Sequence, residues 1–283
     1  MRGEEIPLAT AVVNGVTLAY DDEGDGPGTP LVLVHGHPFD RSMWAPQVPV
    51  AAAGRRVIVP DLRGYGASEV VPGVTPLETF ARDVAALLDH LGVPEAVVGG
   101  LSMGGQIVME FQRLFPGRAT GLVLADTFPG ADTEEGRRAR EAMAERLTAE
   151  GMSGYAGEVL DRMIAPRNVT ALPEVAGHVL RMMRGASPEG AAAALRGRAR
   201  RPDYGPVLTA VGVPTLIVVG RDDAFTPVAE AEAMHAAVRG SRLVVVEGAG
   251  HLPNLERPEE FNQALLGFLG SCSQVVVSTS ESE

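Results

Sequence analysis

The feature that most constrains this chain is a short junction. An apolar, β-branched run, Ala96-Val97-Val98, passes through Gly99-Gly100-Leu101-Ser102-Met103-Gly104-Gly105 into a helix-forming stretch, Gln106 to Phe115. A strand that becomes a helix so abruptly leaves no room for side chains around the turn. Glycines at 100 and 104 relieve the crowding. Ser102, at the centre of a Gly-x-Ser-x-Gly frame, is then predicted in a strained conformation with its Oγ aimed out from the sheet edge. A Gly-rich strand-to-helix turn is common in α/β proteins. The five-residue match alone fits that turn and a nucleophile about equally, and the rest of the chain is what favours the nucleophile.

The rest of the chain sets that junction in a parallel sheet. Asn14-Gly15, between Ala11-Val12-Val13 and Val16-Thr17-Leu18, is a two-residue hairpin signal. Strands are expected at Leu31–Val34, Val57–Val59, Ala96–Gly99, Gly121–Ala125, Thr215–Val219 and Leu243–Val246. Helical patterns lie near Leu77–Leu91, Gly105–Phe115, Val228–Val238 and Pro258–Leu269. Alternation of this kind implies an α/β fold with a mostly parallel sheet covered on both faces. From about Thr127 to Pro206 the strand signal vanishes. That stretch is rich in Ala, Arg, Glu and Met, with breakers at Gly151, Pro166, Pro173, Gly185 and Pro188. The expected organisation is a core domain of residues 1–126 and 207–270, a helical cap of residues 127–206 over the strand ends, and a disordered tail at 271–283.

A serine hydroxyl is a weak nucleophile at neutral pH. It needs a base, and the base needs an orienting acid. The strand Thr215–Val219 runs into Gly220-Arg221-Asp222-Asp223, so two carboxylates emerge just past its end. The next strand, Leu243–Val246, runs into Glu247-Gly248-Ala249-Gly250-His251, which puts a histidine on the following loop. Asp126 follows Leu122-Val123-Leu124 at another strand end and is a further candidate acid. Ligand chemistry in such sheets gathers beyond the carboxyl ends of the strands, where all these residues lie.

Several segments together resemble the α/β-hydrolase family: LVLVHGHPFD at Leu31–Asp40, PDLRGYGAS at Pro60–Ser68, GGLSMGG at Gly99–Gly105, VGRDDAFTP at Val219–Pro227 and GAGHLPNLERPEEF at Gly248–Phe261. The resemblance is strongest to the branch of 3-oxoadipate enol-lactonases and cofactor-free haloperoxidase-type esterases. It implies an α/β-hydrolase fold, with a helical cap inserted in the sheet, and a chain order of nucleophile, acid, base. The Gly-x-x-Asp pattern before Thr-Pro selects Asp223, with Asp222 and Asp126 as alternatives. Ser102, Asp223 and His251 are then the expected catalytic residues. The backbone N–H groups of His37 and Met103 are the expected oxyanion hole, each such donor being worth ~3–4 kcal/mol in the barrier. The family's commoner H-G-F-P reads His35-Gly36-His37-Pro38 here. The His37 side chain is expected as a tolerated neighbour of the pocket, with contact to substrate as the alternative. His35 is expected to hold its loop by hydrogen bonding.

The resemblance implies a serine hydrolase of a small carboxylic ester or lactone that works through an acyl-enzyme. A carbon–carbon bond hydrolase, or a non-hydrolytic receptor, cyclase or epimerase on the same fold, is the alternative. No cofactor and no metal is expected, and no Cys/His set has zinc or iron–sulfur spacing. The Gly-rich Pro60–Gly66 segment lacks the ending of a phosphate loop. A net charge of −12 argues against nucleic acid and anionic membrane as partners. Every basic residue is arginine. No apolar run reaches the ~18 residues of a membrane helix, so the cytoplasm is the expected location, and homo-oligomer formation stays open. Arg137-Arg138-Ala139-Arg140-Glu141 reads as a solvated helix face. Arg198, Arg200 and Arg201 read as surface, with a substrate carboxylate as the alternative partner. Met143, Met152, Met163, Met182 and Met183 are candidates for pocket walls or for simple packing.

Overall fold

The computed structural model describes residues 8–275, with side chains to residue 272. Strand β1 (Ala9–Val13) turns at Asn14 and Gly15, whose φ values of 47° and 76° are those of the tight turn that suits strand twist. It pairs antiparallel with β2 (Val16–Val34), Val13 lying opposite Val16. β2 is far longer than the expected Leu31–Val34. It continues through the Asp- and Gly-rich residues 21–30, where pairing with β3 (Arg55–Pro60) compensates for a composition poor in strand formers. After helices α1 (Val48–Ala52) and α2 (Leu77–His90), the chain enters β4 (Ala96–Leu101), α3 (Met103–Leu114) and β5 (Ala119–Ala125).

Five helices then intervene: α4 (Glu134–Glu150), α5 (Met152–Met163), α6 (Pro166–Ala171), α7 (Pro173–Gly185) and α8 (Pro188–Arg198). The breakers in this stretch mark helix boundaries. Prolines 166, 173 and 188 open α6, α7 and α8, where the missing N–H costs nothing. Gly151, at φ 77°, joins α4 to α5. Thr133 and Ser187 accept hydrogen bonds from the N–H groups of Gly136 and Gly190 and so cap α4 and α8. The chain returns through α9 (Gly205–Thr209), β6 (Thr215–Gly220), α10 (Val228–Ala237), β7 (Arg242–Val246), α11 (Pro253–Glu256) and α12 (Pro258–Val275).

The sheet has seven strands in the order β1-β2-β4-β5-β6-β7, with β3 also on β2. From β2 to β7 that path is parallel. β4 and β6 are buried at every residue because helices cover both faces, which explains their unbroken apolar sequences. One core packs Leu88, Ile107, Phe111, Val98 and Ile217; the other packs Phe39, Trp44, Val97, Leu216 and Phe268.

Helix α8 meets the core without intervening side chains. A Cβ on Gly190 would lie 2.0 Å from the carbonyl oxygen of Gly64, and one on Gly197 would lie 1.7 Å from that of Thr75. The Thr75 N–H donates to the Ala193 carbonyl at 2.9 Å.

The expected break at residue 270 is corrected. α12 continues to Val275, and Cys272 is buried against the core. Burial of Cys272 against the core holds the helix on past residue 270 despite the polar, Ser-rich composition. The remainder of the expected tail, residues 276–283, and residues 1–7 lie outside the described residues. No helix among the described residues is long and apolar enough to cross a membrane.

Candidate active site

Ser102 stands between β4 and α3 with φ 58° and ψ −116°, a backbone region that non-glycine residues rarely occupy. Three bonds hold it there. Its N–H donates to the Ala125 carbonyl at 2.9 Å, and its carbonyl accepts from the Gln106 N–H at 3.2 Å and the Thr127 hydroxyl at 2.7 Å. The turn tolerates no side chain at its two glycines. A Cβ on Gly100 would lie 2.3 Å from the Gly104 backbone, and one on Gly104 would lie 2.2 Å from the Val34 carbonyl oxygen.

The loop after β2 closes over the same place. His35 donates from Nδ1 to the Gly36 carbonyl at 2.9 Å and accepts the Leu62 N–H on Nε2 at 2.9 Å. Burial lowers its pKa, with the Asp61 charge opposing. Both ring nitrogens are therefore satisfied in one neutral tautomer, so His35 holds the loop. The N–H groups of His37 and Met103 find no acceptor among the described residues. For Met103 this follows from its place in the first turn of α3.

His251 follows β7 and is 3% exposed. Its Nδ1 lies 2.8 Å from Asp223 Oδ2. A carboxylate only accepts, so the proton belongs on Nδ1 and Nε2 is left bare. Asp223 Oδ1 accepts the Phe225 N–H at 2.7 Å, which fixes the carboxylate. Asp222 turns away and pairs with Arg167 at 2.5 Å. Asp126 does not reach the imidazole as a hydrogen-bond partner. Its Oδ1 accepts the Gly220 N–H at 2.8 Å, and its Oδ2 is buried without a partner. Burial first, then the charge of Asp223, raise the Asp126 pKa well above that of an ordinary carboxyl.

Asp126, Asp223 and His251 each offer one atom, all within 4.8 Å of one another, a set that could bind a metal. The Nδ1–Oδ2 contact already has the length of a direct hydrogen bond, which the spread of ligands around an ion would have to break.

Glu256, on which the sequence carried no expectation, ties this loop down. Oε1 accepts the N–H groups of Gly250 at 2.8 Å and Leu252 at 3.4 Å. Oε2 accepts the Ala165 N–H at 2.8 Å and Asn168 Nδ2 at 2.6 Å. An acidic residue directly after Leu255 and four residues after Leu252 was the available signal.

Ser102, His251 and His37 open onto one cavity of about 420 Å³, walled by α4, α5 and α8 through Met143, Met163, Tyr155 and Leu195. Met152, Met182 and Met183 are buried in packing instead. Two expectations for arginines are corrected. Arg140 is not on a solvated face, and Arg198 is not on the outer surface: both line the cavity. Arg201 is buried against Asp132, whereas Arg200 is exposed as expected. His37 donates to or accepts from the Tyr65 hydroxyl through Nδ1 at 2.7 Å, and its Nε2 is buried without a partner. Burial, then the charges of Arg198 and Arg140, hold its pKa well below the usual imidazole range.

A family model described as "Alpha/beta hydrolase family" matches residues 31–264. The chain is 30% identical over 256 residues to 3-oxoadipate enol-lactonase 2 of Acinetobacter baylyi, covering 90% of this chain and 94% of that protein. A thermophilic esterase from Thermogutta terrifontis superposes with a TM-score of 0.91 at 40% identity, over 94% of this chain and 99% of that one. An enol-lactonase from Burkholderia xenovorans LB400 gives 0.86 at 30% identity, over 93% and 100%.

Proposed function

Because the chain belongs to the alpha/beta hydrolase family, we propose that it is a carboxylic ester or lactone hydrolase working through Ser102, His251 and Asp223. The observation that carries this reading is the joint geometry of a strained serine at the strand–helix turn and a histidine whose Nδ1 is held by a buried carboxylate, both facing one cavity. Esterases and enol-lactonases among its relatives support the substrate class.

Ser102 Oγ attacks the carbonyl carbon of the ester. His251 Nε2, bare in this tautomer, takes the hydroxyl proton, and Asp223 stabilises the imidazolium that forms. The carbonyl oxygen becomes an oxyanion and is received by the unpaired N–H groups of Met103 and His37. The imidazolium then gives its proton to the leaving alcohol as the carbon–oxygen bond breaks, leaving an acyl-serine. Water, deprotonated by His251, repeats the sequence and releases the acid. The helices of residues 134–198 act as a cap that limits water and shapes the pocket. Asp126, held on the Gly220 N–H, leaves the imidazole to Asp223.

A fluorophosphonate probe tests this directly. It should label the protein once, at Ser102, and abolish turnover of p-nitrophenyl butyrate. Labelling that survives in Ser102→Ala, or an active protein that resists the probe, would sink the serine mechanism.

A further inference from the structure

The cavity wall carries an excess of positive charge that the chemistry of a neutral ester does not call for. Arg140, Arg162 and Arg198 all line it, and no Asp or Glu among the described residues does. This is in a chain of net charge −12. Arg140 is paired with Asp132 at 2.5 Å, but the same carboxylate also serves Arg201 at 2.8 Å. Arg162 stacks its guanidinium 4.3 Å from the centre of the Phe225 ring, which in turn packs against His251, and it meets no carboxylate among the described residues. Arg198 is half-buried, and among the described residues its guanidinium makes one hydrogen bond, from Nε to the neutral Gln106 Oε1 at 2.7 Å. Gln106 stands one turn along α3 from Ser102, and Arg198 and Ser102 line the same cavity.

A guanidinium keeps its proton at neutral pH. Leaving it in a partly desolvated wall without a counter-charge is costly, and a planar carboxylate answers its remaining donors in pairs. Burial and the charges of Arg140 and Arg201 already disfavour the charged form of Arg198, so an incoming anion would relieve a tension built into the wall. His37 Nε2, buried on the same cavity without a partner, supplies a further polar group for a ligand.

We propose that this wall is a carboxylate-recognition subsite: Arg198, flanked by Arg140 and Arg162, receives a carboxylate carried by the ester or lactone substrate. The proposal rests on the serine-hydrolase reading above and narrows it from small esters in general to anionic ones.

The test uses matched pairs on the intact protein. The mono-p-nitrophenyl ester of adipic acid and its terminal amide place the charge on the acyl side; 4-acetoxybenzoate and 4-acetoxybenzamide place it on the leaving group. In at least one pair the anion should be favoured in kcat/KM by about tenfold or more, chiefly through KM, and Arg198→Gln should remove most of that preference. Arg198→Lys should keep part of it, since the charge remains and the paired donors do not. Equal or better turnover of the amide in both pairs would overturn the subsite. So would an Arg198→Gln variant that slows both members of a pair alike. Calorimetric binding of adipate against adipamide to the wild type gives a readout that needs neither a folded variant nor catalysis. If no ester is cleaved and the fluorophosphonate fails to label, the serine mechanism falls, while selective adipate binding still upholds the subsite and its absence refutes it.

Discussion

Replacing Glu256 by glutamine changes one atom and should cost a large part of the fold's stability. The carboxylate is 2% exposed and is surrounded by four N–H donors, two on each oxygen. It pairs with no cation among the described residues, so the donors themselves are what make its burial tolerable. In the amide, one oxygen becomes an NH₂. Whichever way the side chain flips, two buried donors then face another donor. Bonds to a charged acceptor are each worth ~1.5–3 kcal/mol, and an orphaned buried donor costs ~1–3 kcal/mol. Local relaxation recovers some of this, which puts the expected loss at ~3–5 kcal/mol against a typical total of ~5–15 kcal/mol. One of the two pairs, Gly250 and Leu252, flanks His251, and the other, Ala165 and Asn168, anchors the junction of α5 and α6. The variant should therefore also lose kcat, because the base is displaced. Equilibrium unfolding in urea at pH 7, with kcat measured alongside, tests both. A midpoint shift worth less than about 0.5 kcal/mol at unchanged slope, with full activity, would refute the reasoning.

Asp126→Asn should stabilise the protein increasingly as pH rises. The folded-state pKa of Asp126 is raised, so the native state holds a proton that the unfolded chain releases, and wild-type stability falls as pH climbs from the ordinary carboxyl range through the folded value; the amide has no such slope, and parallel urea midpoints for the two proteins between pH 5 and 8 would contradict this. Asp223→Asn should lower kcat by roughly 10⁴-fold through the wrong imidazole tautomer, whereas Asp222→Asn, which loses only an exposed pair with Arg167, should stay within about twofold. Reversal of those two effects in steady-state kinetics would move the acid by one residue. Ester turnover should survive dialysis against EDTA; loss restored by added zinc would assign Asp126, Asp223 and His251 to a metal instead.

The elements that sequence conveys well here are those fixed by local physics. Asn14-Gly15 can do little but turn a hairpin, and the glycines around Ser102 have a steric meaning visible without coordinates. Asp223 was separable from Asp222 by pattern alone, since neighbouring carboxylates look alike until one is seen on Arg167. What stayed hidden depends on long-range placement. Arg140 and Arg198 sit on helices whose polar faces have the same periodicity whether they meet bulk water or a polar cavity. Glu256 looks like any acid in a short helix until its four donors, two from the preceding loop and two from the distant α5–α6 junction, are brought together. The middle of β2 carries Asp and Gly that argue against a strand, and only its partner β3 makes it one.

The contact of α8 with the core bears on how this architecture can be rebuilt. Loops 64 and 75 accept a bare helix backbone, so Gly64, Thr75, Gly190 and Gly197 form one interlocking set across two otherwise separate stretches of chain. Chimaeras that exchange the whole helical segment at its obvious ends would carry a foreign α8 onto loops shaped for this one. Grafts with junctions inside residues 134–185 would keep the interlock, and with it Arg198, while replacing the wall that faces it. Diversification by recombination therefore has a built-in seam within the segment, with one side free to vary and the other inherited with the sheet.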